Sequence, residues 1–226
     1  MLVTIPGVLS AEQVAECRTE LARAPWADGR GSAGYLSQAV KNNEQLADTD
    51  PTSRRLADMI VAALEKNSLF IAAALPLKVL PPSFNRYSGN QRYGDHIDGA
   101  IRSVTGTRHR VRTDLSATLF LSAPETYDGG ELVIKDTFGE RAVKLPAGDL
   151  VLYAGTSVHS VQPVTRGERL AAFFWIQSMV RETARRTILF ELDTAIQRLA
   201  KDVPSHPSLV EFAGVYHNLL RDWADS

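Results

Sequence analysis

The chain has 226 residues, of which 44% are hydrophobic, so it is long enough to bury a full core as one domain with additional elements. Its 25 Lys and Arg residues nearly balance its 26 Asp and Glu residues, which excludes an overall charge that would draw it to nucleic acid or to an anionic membrane. No stretch approaches the roughly 18 consecutive apolar residues of a membrane span, and residues 1–10 lack the pattern of an export signal, so we expect a cytoplasmic protein.

Residues 1–76 are predicted to form a helical support for the rest of the chain. A capping-box pattern and an apolar stripe predict a helix over Ser10–Ala24. The only cysteine, Cys17, falls on the apolar side of this helix, where a buried thiol without a disulfide suits the reducing cytoplasm. A second helix is predicted to begin at Asp50, because Asp50 can cap it and Pro51 suits its first turn. Its apolar stripe consists of Leu56, Met59, Ile60, Ala63 and Leu64.

Residues 77–180 have a different character, with short β-rich runs separated by Gly, Pro and Asp. The predicted strands are Leu77–Leu80, Ser83–Tyr87, Leu115–Leu121, Glu131–Ile134, Arg141–Leu145, Asp149–Tyr153, Val158–Val164 and Leu170–Met179. Because no helices separate these strands, the pattern favours an antiparallel sandwich or jelly roll over a parallel α/β sheet.

Residues 181–226 return to the helical period and predict two amphipathic helices. Their apolar stripes are Ile188, Leu189, Leu192, Ala195, Ile196 and Leu199, then Leu209, Phe212, Ala213, Tyr216, Leu220 and Trp223. We expect the last helix to pack on its own domain, with self-association into a homo-oligomer as the alternative. The predicted class is therefore α+β, with a β-core between N-terminal helices and a C-terminal helical extension.

His96 and Asp98 are the first candidate site residues. They lie just past a predicted strand, and residues two apart in an extended backbone point to the same side, so both side chains can reach one ion. A His-x-Asp pair often occurs by chance and is also compatible with a solvated polar turn. The pair therefore predicts a metal site only if residues elsewhere support it.

His159 and Arg169 provide that support. His159 follows the apolar strand Asp149–Tyr153, and Arg169 stands directly before the apolar run that begins at Leu170, where a cationic side chain needs a reason. Two histidines and one carboxylate leave open positions on Fe(II), and a guanidinium can bind a carboxylate through two parallel hydrogen bonds. Taken singly, His159 is compatible with a core histidine and Arg169 with a salt bridge to Glu168. Together with the upstream pair, they predict an Fe(II) site beside a carboxylate-binding arginine.

Seven motifs occur in a recognisable order. They are Asn85-Arg86-Tyr87, Gln91-Arg92-Tyr93-Gly94, His96-x-Asp98, Gly129-Gly130-Glu131-Leu132, His159, Val161-x-Pro163-Val164 and Gly167-x-Arg169. This arrangement resembles the Fe(II)/2-oxoglutarate dioxygenase superfamily, and within it the bacterial PKHD-type hydroxylases, which are related to prolyl and lysyl hydroxylases. The resemblance covers nearly the whole chain, including the helical tail.

The resemblance implies a double-stranded β-helix in which His96, Asp98 and His159 hold iron. It also implies that Arg169 binds the 5-carboxylate of 2-oxoglutarate, and that Tyr87 assists co-substrate binding. One departure matters, because collagen-type prolyl hydroxylases have a lysine where this chain has Arg169. A collagen-like substrate is therefore not carried over.

The activity implied by the resemblance is hydroxylation of an unidentified small-molecule or peptide substrate, with release of succinate and CO₂. The expected cofactors and co-substrates are Fe(II), 2-oxoglutarate and O₂, with L-ascorbate as a candidate reductant. Asp98 is expected to be a metal ligand rather than a general base, and its presence argues against a halogenase, which has a small residue at that position.

Two rival functions stay open. One is a non-catalytic module that senses or binds a metal and 2-oxoglutarate, and the other is a cupin-type enzyme that uses a different metal without a keto acid. The presence of all three predicted ligands together with Arg169 favours the enzyme, because a decayed fold would be expected to lose at least one of these four residues.

The segment 99–114 is rich in basic residues and poor in apolar ones, and it directly follows the predicted metal-binding turn. We interpret it as a lid or a substrate-binding loop, with a merely solvated charged loop as the alternative. If the loop has a function, its charge predicts an acidic or polar substrate.

Overall fold

Two antiparallel sheets face each other in a computed structural model that describes residues 1–104, 106–136 and 139–225. The strands are β1 Leu2–Ile5, β2 Ala27–Asp28, β3 Lys41–Asn42, β4 Glu44–Gln45, β5 Pro76–Val79, β6 Ser83–Ser88, β7 Arg92–His96, β8 Ile101–Ser103, β9 Arg110–Arg112, β10 Leu115–Phe120, β11 Asp128–Gly129, β12 Leu132–Asp136, β13 Gly139–Val143, β14 Leu150–Ala154, β15 Val158–Val161, β16 Val164–Arg166 and β17 Glu168–Ser178. The helices are α1 Ala11–Leu21, α2 Tyr35–Gln38, α3 Pro51–Leu64, α4 Ser68–Ala74, α5 Thr183–Asp202 and α6 Ser208–Trp223.

The larger sheet has the strand order β1-β14-β10-β17-β6-β4-β2, with β5 paired to β17. The smaller sheet has the order β13-β12-β15-β7-β3. Neighbours in space are mostly distant in sequence, as in a jelly roll. The predicted α+β class with a double-stranded β-helix core is therefore confirmed.

The long strand β17 explains how a charged residue enters the interior. Its side chains alternate between the two faces of the larger sheet. Leu170, Ala172, Phe174 and Ile176 belong to the main apolar cluster, which also contains residues of α1 and α3. Arg169 and Trp175 project from the opposite face, toward the smaller sheet. One face of β17 therefore serves the core, and the other is available for a site.

The two predicted N-terminal helices, α1 and α3, begin where their caps predict. Ser10 and Gln13 form a complete capping box at the start of α1, and the Asp50 side chain accepts hydrogen bonds from two backbone N–H groups at the start of α3. Cys17 is buried on α1 as expected. Helix α4, capped by Asn67, is absent from the sequence-based prediction, because its seven residues are too few to show a periodic stripe.

Several strands differ from the prediction. The run Val158–Val164 is two strands, β15 and β16, since Pro163 cannot donate a hydrogen bond to a sheet. Strand β7 is missing from the prediction because its sequence, Arg92–His96, is polar on both faces. Strands β1 to β4 of the N-terminal segment pair within the two sheets, so residues 1–76 contribute to the sheets as well as covering them. The division of the chain after residues 76 and 180 stays a proposal.

The two C-terminal helices, α5 and α6, confirm the predicted helical extension. Leu189, Tyr216 and Trp223 pack with Leu75 and Val180 in a separate small apolar cluster. The last helix therefore packs on its own chain, and a homo-oligomer stays a prediction. No helix in the described part of the chain combines the length and the apolar content needed to cross a bilayer.

The basic segment 99–114 contains a β-hairpin, formed by β8 and β9, in its described residues, with Thr105 outside them. The alternative of a merely solvated loop is wrong for Arg102, whose guanidinium lies 3.7 Å from the centre of the Trp175 ring. Arg112 is held in an ion pair with Asp114. The hairpin therefore forms part of the wall around the interior of the jelly roll.

Candidate active site

A cavity of about 480 Å³ opens between the two sheets, and His96, Asp98 and His159 line it together with Arg169 and Tyr87. One ligand atom from each of His96, Asp98 and His159 lies within 4.8 Å of the others. His159 Nε2 is 3.6 Å from Asp98 Oδ2. The structure thus brings all five residues predicted from the sequence to one place.

Strand pairing positions the two histidines. His96 is the last residue of β7, and it lies directly opposite His159 of β15 in the smaller sheet. The centres of the two imidazole rings are 4.2 Å apart. Asp98 follows two residues after His96, where β7 has ended, so its carboxylate turns toward both rings. The ring of Tyr93 stacks on that of His96, with centres 3.6 Å apart, and limits its rotation.

Backbone carbonyls fix the orientation of both imidazole rings. His96 Nδ1 lies 2.8 Å from the Gly94 carbonyl oxygen, and His159 Nδ1 lies 3.1 Å from the Ser157 carbonyl oxygen. Because a carbonyl accepts a hydrogen bond, each Nδ1 carries a proton, and in the neutral form of the ring Nε2 is the nitrogen that keeps a lone pair. Burial, followed by the neighbouring His159, lowers the pKa of His96 to about 4. The neutral ring is the form that binds a metal.

Asp98 is held by a hydroxyl from the facing sheet. Ser116 Oγ on β10 donates a hydrogen bond of 2.8 Å to Asp98 Oδ2. Burial alone would raise the pKa of Asp98, but His159, the Trp175 indole and the Ser116 hydroxyl together hold this pKa below its ordinary value. The group is therefore a carboxylate at neutral pH, which is the charge state that a metal ligand requires.

Arg169 is a fully buried cation without a described carboxylate partner. Only 1% of its surface is exposed, and none of its three guanidinium nitrogens makes a hydrogen bond to a described residue. Arg186 is equally buried, yet its terminal nitrogens donate to the carbonyls of Val180 and Arg181 and to the Thr183 hydroxyl. A buried charge left without hydrogen bonds is costly, so an anion at this end of the cavity would be stabilising.

Gly130 makes room for this arginine. Its backbone has φ +68°, and a Cβ atom there would lie 3.1 Å from Arg169 Cδ and 2.9 Å from the Tyr127 ring. The glycine pair that follows Asp128 therefore serves the site as well as the turn. Tyr127 also carries a buried hydroxyl without a described partner.

Tyr87 is the cross-strand neighbour of Arg169, opposite it on β6. The guanidinium carbon lies 5.5 Å from the centre of the Tyr87 ring and 5.2 Å from that of Phe120. Burial raises the pKa of Tyr87 to about 12, so its hydroxyl stays protonated and can donate a hydrogen bond. The arginine is thus surrounded by aromatic rings that exclude water from the end of the cavity.

Sequence reasoning missed Ser116 and Lys41, which line the same cavity. Ser116 lies within an apolar run, and only the pairing of β10 with β14 and β17 reveals which way its hydroxyl points. Lys41 lies in a polar stretch without periodicity. Neither residue carries a local signal that could have identified it.

Comparisons with known proteins agree with this geometry. The family model of the 2OG-Fe(II) oxygenase superfamily matches residues 82–177, and that of the PKHD-type hydroxylase C-terminal domain matches residues 184–225. A solved Pseudomonas putida prolyl-4-hydroxylase aligns with a TM-score of 0.54 and 26% identity, covering 78% of this chain and 92% of that one. Fold and family model together define a 2-oxoglutarate-dependent oxygenase.

Curated relatives narrow the class. The chain is 55% identical over 226 residues to a PKHD-type hydroxylase of Parvibaculum lavamentivorans, and 57% identical over 225 residues to the PKHD-type hydroxylase PiuC of Pseudomonas aeruginosa. Both alignments cover 100% of each chain. The chain therefore belongs to the PKHD-type hydroxylase family, whose superfamily implies Fe(II) and 2-oxoglutarate. The predicted resemblance and enzyme class are confirmed.

Proposed function

We propose that the protein uses Fe(II), held by His96, Asp98 and His159, with 2-oxoglutarate and O₂ to hydroxylate a small-molecule or peptide substrate. Arg169 binds the 5-carboxylate of 2-oxoglutarate, and Tyr87 assists by donating a hydrogen bond from its phenol. The observation that carries the proposal is the buried guanidinium of Arg169, which has no described carboxylate partner and lies in the same cavity as the three ligands.

The donor set fits the metal. Two neutral imidazoles and one carboxylate form the facial triad typical of non-haem Fe(II), and such a triad leaves open positions for other ligands. Ser116 and the two backbone carbonyls hold the three side chains from behind. Groups that support metal ligands in this way fix their orientation before the metal binds.

Bound together, Fe(II) and 2-oxoglutarate supply the activation of O₂ that converts a substrate C–H bond to C–OH, with succinate and CO₂ as the other products. The chain supplies binding, orientation and exclusion of water. Arg169 fixes the distal end of the co-substrate, and the rings of Tyr87 and Phe120 keep that end dry. Asp98 acts as a ligand and does not move a proton.

The rival functions make different predictions. A sensor module would bind the metal and 2-oxoglutarate without forming succinate, whereas a cupin-type enzyme would not depend on 2-oxoglutarate or on Arg169. The burial of Arg169 without a described carboxylate partner favours 2-oxoglutarate use over the cupin-type alternative. We further propose a cytoplasmic location, supported by the buried thiol of Cys17. L-Ascorbate stays a candidate reductant that sustains turnover without affecting co-substrate binding.

The test begins with anaerobic addition of Fe(II) and 2-oxoglutarate to the full chain. We expect a weak visible charge-transfer band, and then succinate formation once O₂ is admitted. The variant Arg169→Met should lose both at the same 2-oxoglutarate concentration, whereas Arg166→Met, an exposed arginine paired with Asp128, should keep both. A band without succinate would favour the sensor module, and succinate formation that ignores Arg169 would contradict the proposed role of Arg169.

A further inference from the structure

A second group of cations lies in the cavity, apart from Arg169. Lys41 comes from β3 at the edge of the smaller sheet, and Arg102 comes from the hairpin of β8 and β9. Neither forms an ion pair with a described carboxylate. Leu80, Phe173 and Trp175 line the same cavity, and Trp175 is in contact with Arg102. We call this part of the cavity the outer pocket.

Lys41 is buried, with only 5% of its surface exposed. Its ammonium donates hydrogen bonds of 2.7 Å to Ser32 Oγ and 3.1 Å to Gln45 Oε1, and both of these acceptors are neutral. An ammonium has three N–H donors, so one stays available. Burial, and then the charge of Arg102, lowers the pKa of Lys41 to about 8. The two cations thus repel each other, and the negative charge of Asp98 offsets only part of this repulsion.

Arg102 is held by stacking on an aromatic ring rather than by an ion pair. Its guanidinium stacks on the Trp175 ring at 3.7 Å, and its Nε is buried without a partner. No described residue accepts a hydrogen bond from it. Burial lowers its pKa, and Asp98 is the strongest opposing charge. A guanidinium stacked in this way keeps its edge free for a carboxylate.

Charge balance argues that these cations serve a ligand. The two positive charges of Fe(II), the two negative charges of 2-oxoglutarate, Asp98 and Arg169 sum to zero. Lys41 and Arg102 therefore add positive charge to an already neutral centre. Asp48 and Asp58 also line the cavity, and Asp48 accepts a hydrogen bond of 2.8 Å from Ser83 Oγ, but neither carboxylate forms a described ion pair with Lys41 or Arg102. Keeping two cations buried without an ion pair costs stability, which an anionic substrate would recover.

We infer that the substrate carries a carboxylate that binds between Lys41 and Arg102, with an apolar part against Leu80 and Phe173. This inference rests on the proposed function and names the substrate class of the same site. Arg169 and the outer pocket would then recognise two different carboxylates, one on the co-substrate and one on the substrate. The substrate carboxylate would accept the third Lys41 donor and the edge of the Arg102 guanidinium.

The test uses the full chain loaded with Ni(II) and saturating 2-oxoglutarate, so that no turnover occurs. The probes are matched pairs, N-acetyl-leucine with its amide and N-acetyl-phenylalanine with its amide, which differ mainly in charge. Calorimetry should show at least one acid binding roughly 10-fold or more tightly than its amide, since hydrogen bonds between charged groups are the strong ones.

Variants locate the effect. Lys41→Gln and Arg102→Met should each weaken binding of the acid by roughly 10-fold or more, while the Kd for 2-oxoglutarate stays unchanged. Arg108→Met is the matched control, because Arg108 is an exposed cation of the same hairpin segment and should have no effect. Thermal melting shows whether each variant is folded. If one of the two outer-pocket variants does not fold, the other alone tests the inference.

Three results would overturn the inference. Neither acid binds up to its solubility limit, or acid and amide bind with equal affinity, or the two outer-pocket variants weaken the binding of 2-oxoglutarate as much as the binding of the acid probe. The last result would assign both cations to the co-substrate. Failure of the proposed function is seen separately, as 2-oxoglutarate binding that does not depend on Arg169.

Discussion

Replacing Arg169 with methionine separates a binding role from a structural one. The side chain is 1% exposed and has no described carboxylate partner, so in the ligand-free fold its charge is offset mainly by contacts with the Tyr87 and Phe120 rings. Methionine replaces the aliphatic stem of the arginine and carries no charge to desolvate. We therefore expect the ligand-free variant to be at least as stable as the wild type in thermal unfolding.

The stabilisation that 2-oxoglutarate gives should be smaller in the variant than in the wild type. With Ni(II) bound and 2-oxoglutarate at 100 times its Kd, the wild type gains about 2.7 kcal/mol. For a chain of this size that gain raises Tm by about 5–11 °C. Loss of one partner of a buried charge pair costs about 2–5 kcal/mol, and the lower limit already raises Kd roughly 30-fold. The variant should then gain under about 1 kcal/mol, or about 2–4 °C.

Differential scanning calorimetry with and without 2-oxoglutarate measures both effects. A matched ligand provides the control, since 2-oxobutyrate lacks the distal carboxylate and should stabilise the wild type as weakly as 2-oxoglutarate stabilises the variant. The reasoning is refuted if the variant shows the full wild-type shift. It is also refuted if the ligand-free variant unfolds at a much lower temperature, which would make Arg169 a structural cation like Arg186.

Three further predictions concern the groups around the site. Ser116→Ala removes the hydrogen bond to Asp98 and should weaken metal affinity by roughly 10–100-fold in a competitive chelator titration, with Thr118→Ala on the same strand as a milder control. Gly130→Ala places a Cβ atom 3.1 Å from Arg169 Cδ, so calorimetry should show a larger loss of affinity for 2-oxoglutarate than for Ni(II). Equal losses of affinity for both would indicate general misfolding. Cys17, whose pKa burial raises to about 12, should resist a thiol reagent at pH 8 in the folded protein and react after denaturation; fast reaction in the folded state would contradict its burial on α1.

The sequence was sufficient for residues whose chemistry is rare at their position. His96 and Asp98 share a side by backbone geometry, and Arg169 stands out because a cation precedes a long apolar strand. The prediction that these residues lie close together still depended on the family resemblance, since no local sequence pattern brings residues 96 and 159 together. The pairing of β7 with β15 does so in the folded chain.

Lys41 and Arg102 show where sequence reasoning stops. Lys41 lies on β3, a strand of two residues, and two residues cannot display a period. Arg102 was recognised only as one of several basic residues in a loop, because stacking on Trp175 depends on how a hairpin folds over a distant strand. Long-range contacts of this kind determine specificity, and loops carry them more often than strands do.

The division of the larger sheet into two faces explains how this fold stays stable with a polar site in its interior. On the outer face, Leu115, Ala117 and Leu119 of β10 pack with the helices in the main apolar cluster. The alternate residues, Ser116 and Thr118, face the cavity. Since the main apolar cluster on the outer face stabilises the fold, the inner face can hold cations and metal ligands whose burial is unfavourable. A ligand that forms ion pairs with Arg169, Lys41 or Arg102 removes the unfavourable free energy of burying these charges unpaired. Binding of such a ligand therefore stabilises the folded protein.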